Sequence, residues 1–214
     1  MSETGTSSPV QSGAVAIPLD GHRRRVSHER EIDLQEAARG ARVFLTALGI
    51  DVDRDQLHDT PLRMARAWAE FFTPREFDLT TFPNDEGYGD LVLARDIPFR
   101  SVCEHHLLPF TGTAHVGYLP GERILGLSKL ARVVELFASR PQVQERLTQQ
   151  IANWLKDQLA PRGVGVVLEA EHSCMTMRGV RATGSSTVTS ALHGLLREDA
   201  RSRAEFLAIT GIHR

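Results

Sequence analysis

The chain has 214 residues, 41% hydrophobic and 24% charged, which fits one globular core with helical outworks. Its formal net charge of −2 gives no basis for bulk nucleic-acid binding. No apolar run approaches a membrane span, Ser2–Ser12 is polar rather than secretory, and two cysteines cannot form a disulfide scaffold. These features predict a cytoplasmic protein without a membrane or nucleic-acid partner.

Residues 1–27 are rich in Ser, Thr and Gly and carry the run His22-Arg23-Arg24-Arg25. They are expected to form a disordered, solvated tail. Residues 28–90 read as an N-terminal helical portion. Ile32, Leu34, Ala37, Ala38, Val43, Phe44 and Leu48 recur at helical spacing, and Gly49 is a stop signal. A second helix is expected from Asp59-Thr60-Pro61, with Thr60 as its cap and Pro61 in its first turn. Its apolar face holds Met64, Ala65, Trp68, Phe71 and Phe72, and Pro74 ends it. Arg63 in the first turn gains nothing from the helix dipole, so it is either solvated or faces an anion. Residues 74–90 read as a loop.

Residues 91–214 read as a second unit. Leu91–Phe99 and Gly112–Leu119 are expected strands, which puts Cys103-Glu104-His105-His106 on their connection. Ser128 is expected to cap a helix running to Ser139. Lys129 and Arg132 share a face near its start, where two cations oppose the dipole; they are either solvated or suit a phosphate chain. A further helix spans Gln142 to Leu159, with Val143, Leu147, Ile151, Trp154 and Leu155 inward. Gly163–Ala170 and Thr187–Leu192 are expected strands, and a short helix near Ser202–Ile209 closes the chain. Paired strands around grouped helices predict an α+β fold, an antiparallel sheet backed by helices.

The two cysteines each have a histidine within three residues, in Cys103-Glu104-His105-His106 and His172-Ser173-Cys174. Cys103, His106 and Cys174 form a plausible three-ligand zinc set whose open fourth place suits a catalytic water. The same residues also suit two buried thiols or one disulfide, and spacing does not choose among these.

Five motifs carry a resemblance: Asp59-Thr60-Pro61-Leu62-Arg63, Ser101-Val102-Cys103-Glu104-His105-His106, Gly126-Leu127-Ser128-Lys129-Leu130, Arg140 through Thr148 (RPQVQERLT), and His172 through Gly179 (HSCMTMRG). From about residue 30 to the C-terminus the chain resembles the GTP cyclohydrolase I family. The resemblance implies the tunnelling fold, an antiparallel sheet with two helices on one face, whose sheets join into barrels. It also implies a homodecamer of two pentamers with active sites between subunits. Zinc would be held by Cys103, His106 and Cys174. Activated water would add at C8 of GTP while His172 protonates N7; formate would leave after a second hydrolysis. His105 and Ser128 would serve the Amadori rearrangement, and the chain would reclose as 7,8-dihydroneopterin triphosphate, opening tetrahydrofolate and pterin synthesis. Glu145, with Gln144, would read guanine. Lys129, Arg132 and Arg178, with Arg63 from a neighbouring subunit, would clamp the triphosphate. Glu104 would lie behind the ligands and orient a histidine. Three rivals differ in chemistry. The nitrile reductase of queuosine synthesis needs a nucleophilic cysteine and a nicotinamide. Pyruvoyl-tetrahydropterin synthases bind zinc through three histidines. A non-catalytic zinc module needs a fourth protein ligand.

Overall fold

A computed structural model describes residues 23–26 and 31–211. In chain order the elements are β1 (Arg23–Val26), α1 (Leu34–Ala47), α2 (Thr60–Phe72), β2 (Phe77–Pro83), β3 (Val92–Cys103), β4 (Pro109–Leu119), β5 (Arg123–Leu125) and α3 (Ser128–Ala138). Then come β6 (Pro141–Gln142), α4 (Gln144–Leu159), β7 (Gly163–His172), α5 (Ser173–Thr176), β8 (Thr187–Gly194), α6 (Leu195–Glu198) and α7 (Ala200–Thr210). The main sheet has the order β6-β3-β4-β7-β8. It is antiparallel except where β6 runs parallel to β3. A smaller sheet joins β1, β2 and β5.

Alternation along the strands decides which face is buried. Phe110, Ala114, Val116 and Tyr118 of β4, and Val164, Val166, Leu168 and Ala170 of β7, point to one face. There they meet Leu130, Val133, Val134 and Phe137 of α3 and Leu147, Ile151 and Leu155 of α4. These helix positions recur every three or four residues, so each helix presents one apolar stripe to the sheet. Full burial of each such side chain contributes about 1.5–3 kcal/mol. On the opposite face, Phe206 of α7 packs with Leu119, Val167 and Leu196. A Cβ on Gly165 would stand 2.7 Å from the Phe206 ring, so the glycine is what lets α7 lie flat there. The α+β class and the two helices on one face are as expected from the sequence. No helix among the described residues is long and apolar enough to cross a membrane.

Several local expectations are corrected. The 74–90 segment is not all loop: β2 forms within it and pairs with β1 and β5. Arg23–Val26, expected within the tail, is the strand β1, and the remainder of 1–27 lies outside the described residues. The helix expected from Gln142 begins at Gln144, because Pro141 and Gln142 pair with Val102 and Cys103. Thr60 and Ser128 are first helical residues, not caps; the cap positions are Asp59 and Leu127, neither with a side-chain cap bond. The Asp59 carboxylate instead accepts from Arg63 at 3.2 Å. Strand β3 extends to Cys103, so that cysteine ends a strand and the connection begins after it.

Candidate metal centre and active site

The sheet explains how residues far apart in sequence meet. β3 ends, β4 begins and β7 ends at the same edge: Val102 pairs with Pro109, and Phe110 with His172. The hairpin from β3 to β4 closes tightly. Cys103 N–H donates to Leu108 O at 2.9 Å, and Leu107 N–H donates to Cys103 O at 2.8 Å. Leu107 takes a left-handed φ of 52°, which turns the chain back into β4. Across the edge, Ser173 Oγ donates to Pro109 O and seats α5 beside the hairpin.

This arrangement brings the ligand atoms of Cys103, His106 and Cys174 within 4.8 Å of one another. Cys103 Sγ lies 3.9 Å from His106 Nδ1, close to the roughly 3.6 Å that a tetrahedral zinc sets between its sulfur and nitrogen ligands. Two sulfurs and one imidazole are a donor set that zinc favours, and both thiols are free. His105 Nδ1 is 4.0 Å from Cys103 Sγ but stands outside the mutual group. Burial pushes the Cys174 thiol up, and the neighbouring Cys103 adds to the effect; the Arg178 charge acts in the opposite sense. Arg178 is therefore within electrostatic reach of the ligands.

His172 is fixed on two sides. Its ring stacks on Phe110 at 4.4 Å with 6° between planes, and its Nε2 lies 2.8 Å from Gln144 Oε1. The proton on that contact is decided by Gln144. Its side-chain nitrogen faces Leu168 O at 3.1 Å and Thr187 O at 2.8 Å, and carbonyl oxygens only accept. The NH2 must therefore point at them, which leaves the amide oxygen for His172. That oxygen only accepts, so His172 Nε2 carries a hydrogen and donates it. The hydroxyls agree with this polarity: Thr148 donates to Gln144 O at 2.7 Å, so Thr189 donates to Thr148 at 2.6 Å and keeps a lone pair for the Gln144 amide at 3.1 Å. Burial holds the His172 imidazole below its ordinary value, opposed by the charge of Glu145.

Two of the expected site residues have partners within the chain. Gln144, expected to read guanine, is only 2% exposed, and its side-chain amide is committed within the chain. Glu104, expected to orient a histidine, bonds Arg146, whose Nη1 lies 3.4 Å from Glu104 Oε1. Neither partnership has a signal in residue spacing. Glu145 stands exposed in the first turn of α4.

Ser128 and Arg132 line a cleft of about 920 Å3 with Phe71, Arg75, Arg100 and Glu135. Arg132 reaches Glu135 at 3.3 Å. Burial alone would raise the Glu135 carboxyl, but the Arg75 fork, at 2.7–3.0 Å, outweighs it and holds the carboxyl below its ordinary value. Lys129 Nζ sits 5.9 Å from the centre of the Phe77 ring. Arg63 is set apart. It precedes the cleft-lining Phe71 by two helical turns, about 12 Å along α2 at 1.5 Å per residue, and pairs with Asp59.

Residues 37–211 match the family model for GTP cyclohydrolase I. GTP cyclohydrolase 1 of Aquifex aeolicus (strain VF5) is 53% identical over 178 residues, covering 83% of this chain and 97% of that relative. GTP cyclohydrolase 1 of Mycobacterium tuberculosis (strain ATCC 25177 / H37Ra) is 54% identical over 183 residues, 83% of this chain and 91% of the relative. A solved structure of the archaeosine synthase QueF-Like in the apo form aligns with a TM-score of 0.39 and 20% identity, over 49% of this chain and 93% of that one, a likeness too slight to argue from. The family match spans the sheet, both backing helices and the metal-ligand group, so the chain belongs to the GTP cyclohydrolase I family.

Proposed function

We propose that the protein opens the imidazole ring of GTP, releases C8 as formate and recloses the product as 7,8-dihydroneopterin triphosphate, the entry to tetrahydrofolate and pterin synthesis. The observation that carries this reading is the convergence of Cys103, His106 and Cys174 in a chain of this family. These three residues would hold zinc. Bound there, zinc supplies Lewis acidity and an activated water at neutral pH.

The remaining work falls to side chains. His172 gives a proton to N7 as water adds at C8 and the C8–N9 bond breaks. With Nε2–H committed to Gln144, the ring presents Nδ1 for that transfer. A second water cleaves the C8–N7 bond and releases formate. His105 and Ser128 then move protons as the ribose isomerises and the freed amine closes the new ring. The Glu145 carboxylate accepts from guanine N1–H and the 2-amino group, a pair that adenine does not offer. Lys129, Arg132 and Arg178 bind the triphosphate, joined by Arg63 of a neighbouring subunit. The assembly is a cytoplasmic homodecamer of two pentamers. The exposed Val43 and Phe44 on α1 and Leu48 just past its end favour an assembly.

The test is incubation of zinc-loaded protein with GTP, assaying formate and pterin fluorescence together. Equimolar formate and pterin are expected. Zinc-loaded protein that yields neither, or that instead consumes a nicotinamide with a nitrile substrate, would overturn the reading.

A further inference from the structure

Arg146 lies in the RPQVQERLT motif but has no role in the reaction above. All three nitrogens of its guanidinium have a partner. Nε donates to Gln142 Oε1 at 3.0 Å, Nη1 to Glu104 Oε1 at 3.4 Å, and Nη2 to Glu104 Oε2 and to Pro141 O, the last at 3.4 Å. The anchor of this set is buried. Gln142 is fully enclosed, and its NH2 donates to Phe137 O and Gln150 Oε1, each at 2.8 Å. Phe137 O only accepts, so the Gln142 amide can turn only one way, with its oxygen toward Arg146. The other end of the set is the metal hairpin. Glu104 is bound twice, by its carboxylate to Arg146 and by its N–H to Gln142 O at 3.0 Å.

We infer that Arg146 is a positioning residue for the metal site: through Glu104 it fixes the hairpin that presents Cys103 and His106, using the buried Gln142 as its fulcrum. The proposal rests on the zinc reading above. An isolated surface ion pair contributes little, because two long side chains must be held still. This arginine differs because its Nε is already held by Gln142 and its fork meets a carboxylate in a two-point contact. The three ligand atoms must stay within a few tenths of an ångström of one geometry, and two of them are on this hairpin. A loop held at one more point loses less order when the metal leaves and returns. Arg146 also follows Gln144 and Glu145 directly, so one turn of α4 orients His172, faces the base and steadies the metal loop.

The experiment measures zinc release to a chromogenic chelator, without GTP, from wild type, Arg146→Met, Glu104→Ala and the double variant. Each single variant is expected to release zinc about tenfold faster, in the range for residues just behind metal ligands. Both changes remove the same contact, so the double variant is expected to release no faster than the quicker single one. Circular dichroism and assembly mass of the zinc-free forms check the fold. Glu104→Ala, at an exposed position, keeps the test open if Arg146→Met folds poorly. Release within twofold of wild type in both single variants would overturn the proposal. So would a double variant whose effect is the product of the singles. Wild type that binds no zinc would remove the functional reading and this proposal with it; wild type that binds zinc beside unchanged variants removes the proposal alone.

Discussion

The metal end of the sheet and the α1–α2 hairpin are organised in opposite ways. At the metal end several polar side chains are held by partners within the chain. Cys103 is buried, Gln144 is buried with its side-chain amide fully used, and Arg146 ties α4 to the loop. The α1–α2 hairpin is ordered by short-range devices. Asp33 accepts from the N–H groups of Gln35 and Glu36 at 3.0 and 2.9 Å, and Asp59 pairs with Arg63 one turn on. It leaves Val43 71%, Phe44 54% and Leu48 62% exposed. A region that satisfies itself can hold a reacting geometry alone. A region with spare apolar surface, and an arginine held only by an exposed pair one turn away, is suited to completion by another chain.

The strongest way to break this contrast is at the self-contained end. Wild type should hold about one zinc per chain. Cys174→Ser should lose both the metal and turnover, by about a thousandfold or more if the metal supplies the nucleophile. Metal analysis showing full occupancy in the folded variant would remove Cys174 from the site.

Mixing tests the other half. Arg63→Glu and Cys103→Ser homo-oligomers should each be nearly inactive. Refolded together, about a quarter of the sites should combine an intact metal end with an intact Arg63, and activity should return in proportion. Mixing without subunit exchange should stay inactive. Mixed oligomers confirmed by mass but lacking activity would place Arg63 in its own chain's site or in none.

Adjacent residues of α4 give a finer comparison. On the proposed reading, Glu145→Gln would remove a charge-assisted contact to the base, worth about 1.5–3 kcal/mol, and should raise KM for GTP roughly 10- to 100-fold. Gln144→Met should instead lower kcat about tenfold or more, with KM within threefold, because it acts through the orientation of His172. Equal KM effects in the two variants would mean that Gln144 reads the base together with Glu145.

The smallest effect is on pH dependence. Burial holds His115 below its ordinary value; Asp96 and Glu169 oppose this, and Arg95 acts with burial. The Asp96 N–H donates to His115 Nδ1 at 3.4 Å, which suits the neutral ring. The unfolded chain takes up this proton first, near pH 6.5. Stability is therefore full above that value and declines as pH falls through it toward the folded value. Urea melts at pH 7.5 and 5.5 should show a shallower loss for His115→Gln than for wild type. Equal losses would mean that the sheet interior does not set the acid response.

Legibility in the sequence followed the range of the interactions. The helices α1, α2, α3 and α4 were visible because their apolar residues repeat within one or two turns. The candidate ligand residues stood out because each cysteine has a histidine within three residues. Strand β2 was not, because Phe77 and Leu79 alternate correctly within a segment crowded by Pro, Asn, Asp and Gly. The partner of Glu104 lies 42 residues away on a helix face, and nothing local distinguishes Arg146 from a solvated arginine. The committed amide of Gln144 depends on carbonyls of two strands far along the chain. Periodicity reports the face a residue occupies, not the atom it meets there.

The pairing of Phe110 with His172 has a consequence for assembly quality control. Strand side chains alternate, so a slip of one residue between β4 and β7 turns every partner to the opposite face. Glu171 or Ser173 would then stand where His172 stacks, and α5 would carry Cys174 away from the hairpin. On the proposed zinc reading, metal uptake would double as a gauge of strand alignment. In a refolded or recombinant preparation, the fraction of chains retaining zinc after dialysis would then count the chains whose sheet closed in the correct register, before any substrate is added.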